Sequence, residues 1–374
     1  MKLKSYISQS QSLGILQTCK RMPYFIWNIL LTRFKHIRWS RCRPVLKQKL
    51  WKQMFGKNDK DCTGNLWFNN IRWAILPNFV ENFSKQNRNE LLQSIYDHPD
   101  IIISGKFSIL GCDNVQLGFP PDWHTDFKSG FRWNPYLVSW KVRATTRQGA
   151  DLKVPWELSR FNWILPLAAA WRIKNEKQYA VAAKNLILDW IDKNPVARGV
   201  NWICPMDIGM RITNWIWALA LLEDSNVFTE DEIFKIASAI YTASSYIMDH
   251  LEGSPSFRSN HYMGDITGVF HSALAFRGMK KADKWMAFAT QAFEKEISRQ
   301  VLDDGGDFEG SIPYHRLVLE FFFLFALLAK RNNIPLSDIF ERRLKNMFAF
   351  TRDSLRPDGE CPQIGDNDSG RQFV

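Results

Sequence analysis

From Pro155 onward the sequence repeats one texture: apolar-faced segments of helical length, separated by short breaks and opened by start signals such as proline, serine or threonine. The periodicity predicts helices over Pro155–Ile173, Lys177–Lys193, Pro205–Leu222, Thr229–Leu251, His261–Gly278, Ala282–Leu302, Ser311–Lys330 and Leu336–Ser354. Helices in such a series form antiparallel pairs, one roughly every 40 to 55 residues, and a pair buries its apolar face only against its neighbours. The series closes as an open solenoid or as a ring of inner and outer helices. With 16 Trp and 27 Phe, many at helix starts and in loops, the composition favours the ring. There aromatics line the mouth of a concave cavity, where a ring face packs on the C–H bonds of a sugar, although most of these residues are expected in the core.

The first 150 residues differ. Residues 61–150 are rich in Gly, Asp, Pro and aromatics and read as a loop-rich cap, with one alternating stretch, Ile101 to Leu117, expected to form a short β-hairpin. Residues 1–60 hold fourteen Lys or Arg and one acid, Asp59, so this segment carries the whole basic excess of a chain whose net charge is +11. Between Met22 and Phe55 the basic residues alternate with aromatic and aliphatic ones, as in a basic amphipathic helix pair. Its apolar face packs on the following domain, or the segment makes peripheral contact with an anionic membrane. No nucleic-acid module is present and nucleic acid is not an expected partner.

No run reaches the 18 or so apolar residues of a membrane span, and the N-terminus has no apolar signal core, so the expected location is cytoplasmic. The six cysteines, Cys19, Cys42, Cys62, Cys112, Cys204 and Cys361, show no paired spacing and read as free thiols. There is no P-loop, G-x-G-x-x-G, G-x-S-x-G or H-E-x-x-H motif, which removes nucleotide, serine-hydrolase and zincin readings.

Four constellations remain. In N-W-I-C-P-M-D-I-G-M-R-I-T-N-W (201–215), Asp207, Arg211 and Asn214 share one stripe of an apolar helix, as an Asp–Arg tie between helices or as the lining of a wet cavity. In R-S-N-H-Y-M-G-D (258–265), Asn260 stands at the expected N-cap, His261 opens the helix and Asp265 lies one turn on, where it could orient the imidazole. A helix mouth of this kind also receives carboxylates. D-D-G-G-D-F-E-G-S-I-P-Y-H-R (303–316) reads as an acidic turn rather than a calcium loop, followed by Ser311 as a cap and by Tyr314 and His315 in the first turn. In P-Q-I-G-D-N-D-S-G-R (362–371), Asp366 and Asp368 suit a cation or a tight polar turn.

Taken together, W-E-L-S-R (156–160), G-V-N-W followed by M-D-I-G-M-R-I-T-N-W-I-W-A (199–218), S-N-H-Y (259–262), E-G-S-I-P-Y-H (309–315) and Q-I-G-D-N-D-S-G-R (363–371) resemble the heparinase II/III family of polysaccharide lyases, which includes alginate lyase-like members. The resemblance covers about residues 60–374. It implies an all-α fold, an incomplete (α/α) toroid of antiparallel helix pairs over 151–374, and a uronic-acid-containing glycan as substrate for β-elimination. By that similarity Asn260 and His261 contact the uronate carboxylate and Tyr314 is the catalytic tyrosine. Arg211, Trp202, Glu309 and His315, in the same motifs, are expected to bind substrate. No metal or other cofactor is required. The family continues into a C-terminal β-sandwich that adds a further His or Tyr to the cleft, whereas this sequence stops at Val374; relatives often carry Glu where Asp207 stands. The absent signal sequence suggests a role in exopolysaccharide or capsule metabolism. Two other readings use the same features: an inverting glycoside hydrolase with Glu157 and Glu309 as its carboxylate pair, and a truncated, non-catalytic glycan-binding protein.

Overall fold

The computed structural model describes residues 98–254, 257–368 and 371–373 and, in the N-terminal part, 35, 37–39, 46, 48–55 and 63–75. Its helices are α1 (Gln48–Phe55), α2 (Thr63–Ile75), α3 (His98–Ile103), α4 (Ser139–Thr145), α5 (Lys153–Ser159), α6 (Ile164–Lys174), α7 (Lys177–Lys193), α8 (Pro205–Leu222), α9 (Glu230–Asp249), α10 (Asn260–Ala275), α11 (Lys280–Gln300), α12 (Ile312–Arg331) and α13 (Asp338–Asp353). The last eight form four hairpins in two layers. Helices α6, α8, α10 and α12 pack side by side as the inner layer, and α7, α9, α11 and α13 lie outside them. This is the incomplete (α/α) toroid.

The inner position of α8 and α10 follows from their sequences. Both are apolar almost all round, and such a helix is stable only when surrounded. Each also carries glycine where the other approaches. A Cβ on Gly268 would lie 2.5 Å from the Cα of Gly209, and one on Gly209 would lie 2.3 Å from the carbonyl oxygen of Gly264, so only hydrogen fits there. Helix α2 crosses α8, α10 and α12 and buries Trp67 and Ile71 against them. Its end accepts hydrogen bonds at Trp73 O and Ala74 O from Arg331 and Asn332, the last residue of α12 and its cap. It therefore covers the end of the inner layer opposite the helix N-termini.

Helix α12 is long and apolar enough to cross a bilayer, contrary to the sequence expectation, but Val318, Phe321, Phe322 and Leu328 are fully buried in the toroid. Most aromatics do lie in the core: Phe325 stacks on Phe293 at 4.2 Å and meets Phe270 edge-on. The expected Pro155–Ile173 helix is two helices, α5 and α6, broken at Phe161, whose φ of +62° no helix accommodates. Stacking on Trp123 and Trp163 holds Phe161 in that left-handed conformation. In the cap, Lys106–Ile109 (β1) and Cys112–Gln116 (β2) form the expected hairpin around Leu110 and Gly111, both at positive φ, while Ile101–Ile103 belong to α3. A smaller pair, Thr125–Asp126 (β3) with Phe131–Arg132 (β4), follows.

Most of the basic segment lies outside the described residues, and so does the membrane contact expected of it. The described part packs inward: Trp39 is buried against Tyr246 and donates to Asp249 Oδ2 at 2.8 Å, and Trp51 is buried against Trp67 and Phe234.

Ala in an open helix site would gain about 0.5–1 kcal/mol over Gly. Here overpacking reverses the sign: Gly209→Ala and Gly268→Ala are expected to destabilise by about 1–3 kcal/mol in urea unfolding. Gly264→Ala, which meets the movable Met206 side chain, should cost less.

Candidate active site

The N-termini of α8, α10 and α12 meet at one end of the inner layer, joined by carboxylates borrowed from neighbouring loops. Glu252, before α10, accepts from Met206 N in the first turn of α8 at 2.9 Å. Glu309, before α12, accepts from Asn260 N at 2.7 Å and from Asn260 Nδ2 through both oxygens, at 2.9 and 3.0 Å. Each carboxylate satisfies open helix N–H groups and opposes the positive end of a helix dipole.

His261 projects from this junction with its side chain 44% exposed, and its Nδ1 lies 3.1 Å from Glu252 Oε1. Burial alone would depress the imidazole, but its hydrogen bond to Glu252 and that group's charge outweigh this and hold it above its ordinary value. Asp265, expected to orient His261, instead accepts from Glu252 N at 2.6 Å. Its carboxyl is fully buried and pushed well up by burial and by the charge of Glu252, so Asp265 supports the residue that orients the imidazole.

Beneath lies a buried charge cluster. Arg160 Nε donates to Asp207 Oδ1 at 2.6 Å, and its Nη1 donates to Glu157. Asp207 therefore pairs with Arg160 and not with Arg211. Burial, working against the attraction of Arg160 and with the repulsion of Asp207 and Asp368, raises Glu157 to about 7. Arg160 sits here because the chain turns at Phe161 instead of continuing the helix.

Tyr314 stands in the first turn of α12, whose start is capped by Ser311 Oγ. Its hydroxyl donates to Asp368 Oδ2 at 2.8 Å, and the other oxygen of Asp368 pairs with Lys153 at 2.5 Å. Burial, the bond to Asp368 and the charges of Asp368, Asp366 and Glu309 raise Tyr314 far above the ordinary phenol, so it is a neutral donor at physiological pH. Asp368 arrives on the tail 361–368, which crosses the start of α12: Ser311 Oγ donates to Asp366 O at 2.6 Å, and Ile312 N donates to Ile364 O. The G-D-N-D motif is thus a turn that delivers a carboxylate to a phenol.

The expected site residues divide. Asn260, His261 and Tyr314 lie at one junction, and Glu309 lies there too but is occupied in holding Asn260. Asn260 is the first helical residue, with Ser259 in the cap position. Three others lie away from that junction. Arg211, 1% exposed, lies 3.9 Å from the Trp190 ring centroid and donates to Ser159 O and Asn201 O. Trp202, 3% exposed, donates to Asn194 O and accepts from Tyr246. Both are interior ties, because their polar atoms are spent on backbone partners. His315 is buried against Phe350 with Nε2 2.9 Å from Thr351 Oγ1 and faces α13. Sequence reading missed Arg160, Lys153 and Glu252. The W-E-L-S-R motif held a signal for Arg160; Glu252, in a loop without a motif, had none.

The heparinase II/III N-terminus family model matches residues 122–373, and the chain belongs to that family. It is 23% identical over 240 residues to a heparin-sulfate lyase of Bacteroides stercoris, covering 58% of this chain and 35% of that protein. A heparin-sulfate lyase of Pedobacter heparinus is 23% identical over 224 residues, covering 58% and 33%. Among solved structures, heparan sulfate lyase HepC from Pedobacter heparinus superposes with a TM-score of 0.58 at 18% identity, over 88% of this chain and 49% of that one. A crystal structure of heparinase III gives 0.58 at 17% identity, over 84% and 47%. The chain spans about a third of the length of the curated relatives it matches.

Two measurements follow. Arg160→Met leaves Glu157 and Asp207 buried without their cation and is expected to cost about 3–5 kcal/mol in chemical denaturation. The His261–Glu252 pair raises the folded imidazole, so its stabilisation is full below the ordinary value of 6.5 and is lost as pH rises through the raised one. A nuclear magnetic resonance titration should therefore show the His261 midpoint falling in Glu252→Gln.

Proposed function

We propose that this chain is the toroid part of a polysaccharide lyase that cleaves a uronic-acid-containing glycosaminoglycan of the heparan sulfate type by β-elimination. The observation that carries the reading is the junction itself: an imidazole and an amide at the N-terminal end of α10 and a neutral phenol at that of α12, where helix dipoles favour an anion. The names of the relatives support the substrate class.

The chemistry follows from those groups. The proton on C5 of a uronate is not acidic while the neighbouring carboxylate keeps its charge. His261, held above its ordinary value, donates to that carboxylate, and Asn260, fixed by Glu309, presents its amide beside it. Loss of the C5 proton to a base then expels the C4 oxygen. Tyr314 supplies the proton this oxygen needs, and Asp368 and Lys153 orient the phenol. The resemblance assigns a further His or Tyr, suited to act as the base, to the family's C-terminal β-sandwich. The hydrolase alternative is disfavoured: Glu157 is buried on Arg160, and both oxygens of Glu309 are held by Asn260.

Incubation with heparan sulfate should raise the ultraviolet absorbance of the new C4–C5 double bond, and Tyr314→Phe should lower the rate by about 10²–10⁴-fold with little change in KM. New reducing ends without that absorbance, or an active Tyr314→Phe enzyme, would refute the reading.

A further inference from the structure

Cys204 has no part in the chemistry above, yet its thiol is buried against the two residues at the heart of the junction. Its Sγ lies 3.3 Å from Glu252 Oε2 and 3.7 Å from His261 Nδ1, and that nitrogen is 3.1 Å from Glu252 Oε1. One ligand atom from each residue falls within 4.8 Å of the other two. With metal–sulfur bonds of about 2.3 Å and metal–nitrogen or metal–oxygen bonds of about 2.0–2.1 Å, tetrahedral donors stand roughly 3.3–3.6 Å apart. The Sγ–Nδ1 edge and the contact each of these atoms makes to Glu252 have nearly those lengths; the two carboxylate contacts are to different oxygens, and with a single oxygen as donor the third edge lies within 4.8 Å.

A second observation points the same way. Asp207, three residues after Cys204 and 2% exposed, uses Oδ1 on Arg160, while its buried Oδ2 has no hydrogen-bond partner among the described residues. Its charge reaches both the Cys204 thiol and His261. An orphaned carboxylate oxygen in the interior costs free energy unless something positive meets it.

We infer that Cys204, His261 through Nδ1, and Glu252 form a three-residue binding site for a borderline-soft divalent cation of the zinc class, with the unpartnered carboxylate oxygen of Asp207 adding negative charge beside it and an exogenous ligand completing the tetrahedron. Thiolate, imidazole and carboxylate together select such an ion over magnesium or calcium, which take oxygen ligands alone. Binding displaces the thiol proton and the proton on His261 Nδ1. Asp265, bonded to Glu252 N, fixes the loop that carries the carboxylate and is a positioning residue. The inference stands apart from the lyase reading, because metal binding and glycan turnover are measured separately.

The full chain, stripped with chelator and kept reduced, is titrated with cobalt(II) as the spectroscopic probe. The expected result is one ion per chain with tetrahedral d–d bands and a thiolate charge-transfer band. Cys204→Ser should lose that band, Cys112→Ser and Cys361→Ser should keep it, and Glu252→Gln should weaken binding by about tenfold or more. X-ray absorption of the zinc-loaded wild-type chain needs no variant and should show one sulfur at about 2.3 Å. A folded chain that gives no charge-transfer band at saturating cobalt overturns the site. So does a band that survives in Cys204→Ser, or a zinc shell of nitrogen and oxygen alone, which marks an adventitious ion.

Discussion

The contact between Gly209 of α8 and Gly264 and Gly268 of α10 sets the geometry of everything above it. Two helices that meet with no side chain between them place their N-termini side by side, so Cys204 and Asp207 at the start of one stand against Glu252, Asn260 and His261 at the start of the other. Backbone contact also leaves little freedom to slide, since a shift along either axis drives a Cα into the facing turn. Groups presented on two such helices keep their spacing better than groups on loops, which is what a site with a fixed geometry requires.

Electrostatics then decides what that end of the toroid can hold. Three inner helices direct open N–H groups and positive dipole ends toward it, and the protein answers with carboxylates from adjoining loops. Glu252 and Glu309 are at once helix caps and holders of His261 and Asn260. The arrangement couples folding to site geometry, because loss of either acid removes a cap and frees a functional side chain together. The cost of this density of acids appears in Glu157, raised to about 7, and in Asp265, held well above its ordinary value by burial and the charge of Glu252.

Much of this was legible in the chain because the signals are local. Helix periodicity, Pro205 and Pro313 at helix starts, the Ser311 cap and the turn chemistry at Leu110–Gly111 each follow from a few neighbouring residues. What was not legible depends on distant pairing. Asp207 and Arg211 sit one turn apart on a helix and read as a pair, yet Arg160, 47 positions away, takes Asp207 because Phe161 breaks the chain there. Trp202, in the short turn before α8, carries no periodic signal. Arg211 stands in the right motif but faces the layer behind the site, and periodicity does not distinguish two buried faces of a helix that is apolar all round. His315 fails for the same reason, since its neighbour Tyr314 faces Asp368 while His315, one position on, turns to α13.

The tail shows how a stretch without secondary structure can be as constrained as a helix. Gly365, at φ +80°, lets the backbone pass against Ser311, where a Cβ would lie 2.7 Å from its Cα. Beyond it Gln372 is fully buried: its N–H donates to Glu320, and its side-chain amide reaches Met210 O and Asn214 Oδ1 on α8. Asn214, one of the polar stripe on that helix, is thereby spent on the tail and on Arg160 O. The segment is pinned at both ends, at Ser311 and at α8, with Asp368 held between them. Phenol, carboxylate and lysine then form one unit drawn from α12, the tail and α5, so the orientation of Tyr314 depends on a polar run that by composition is merely a turn.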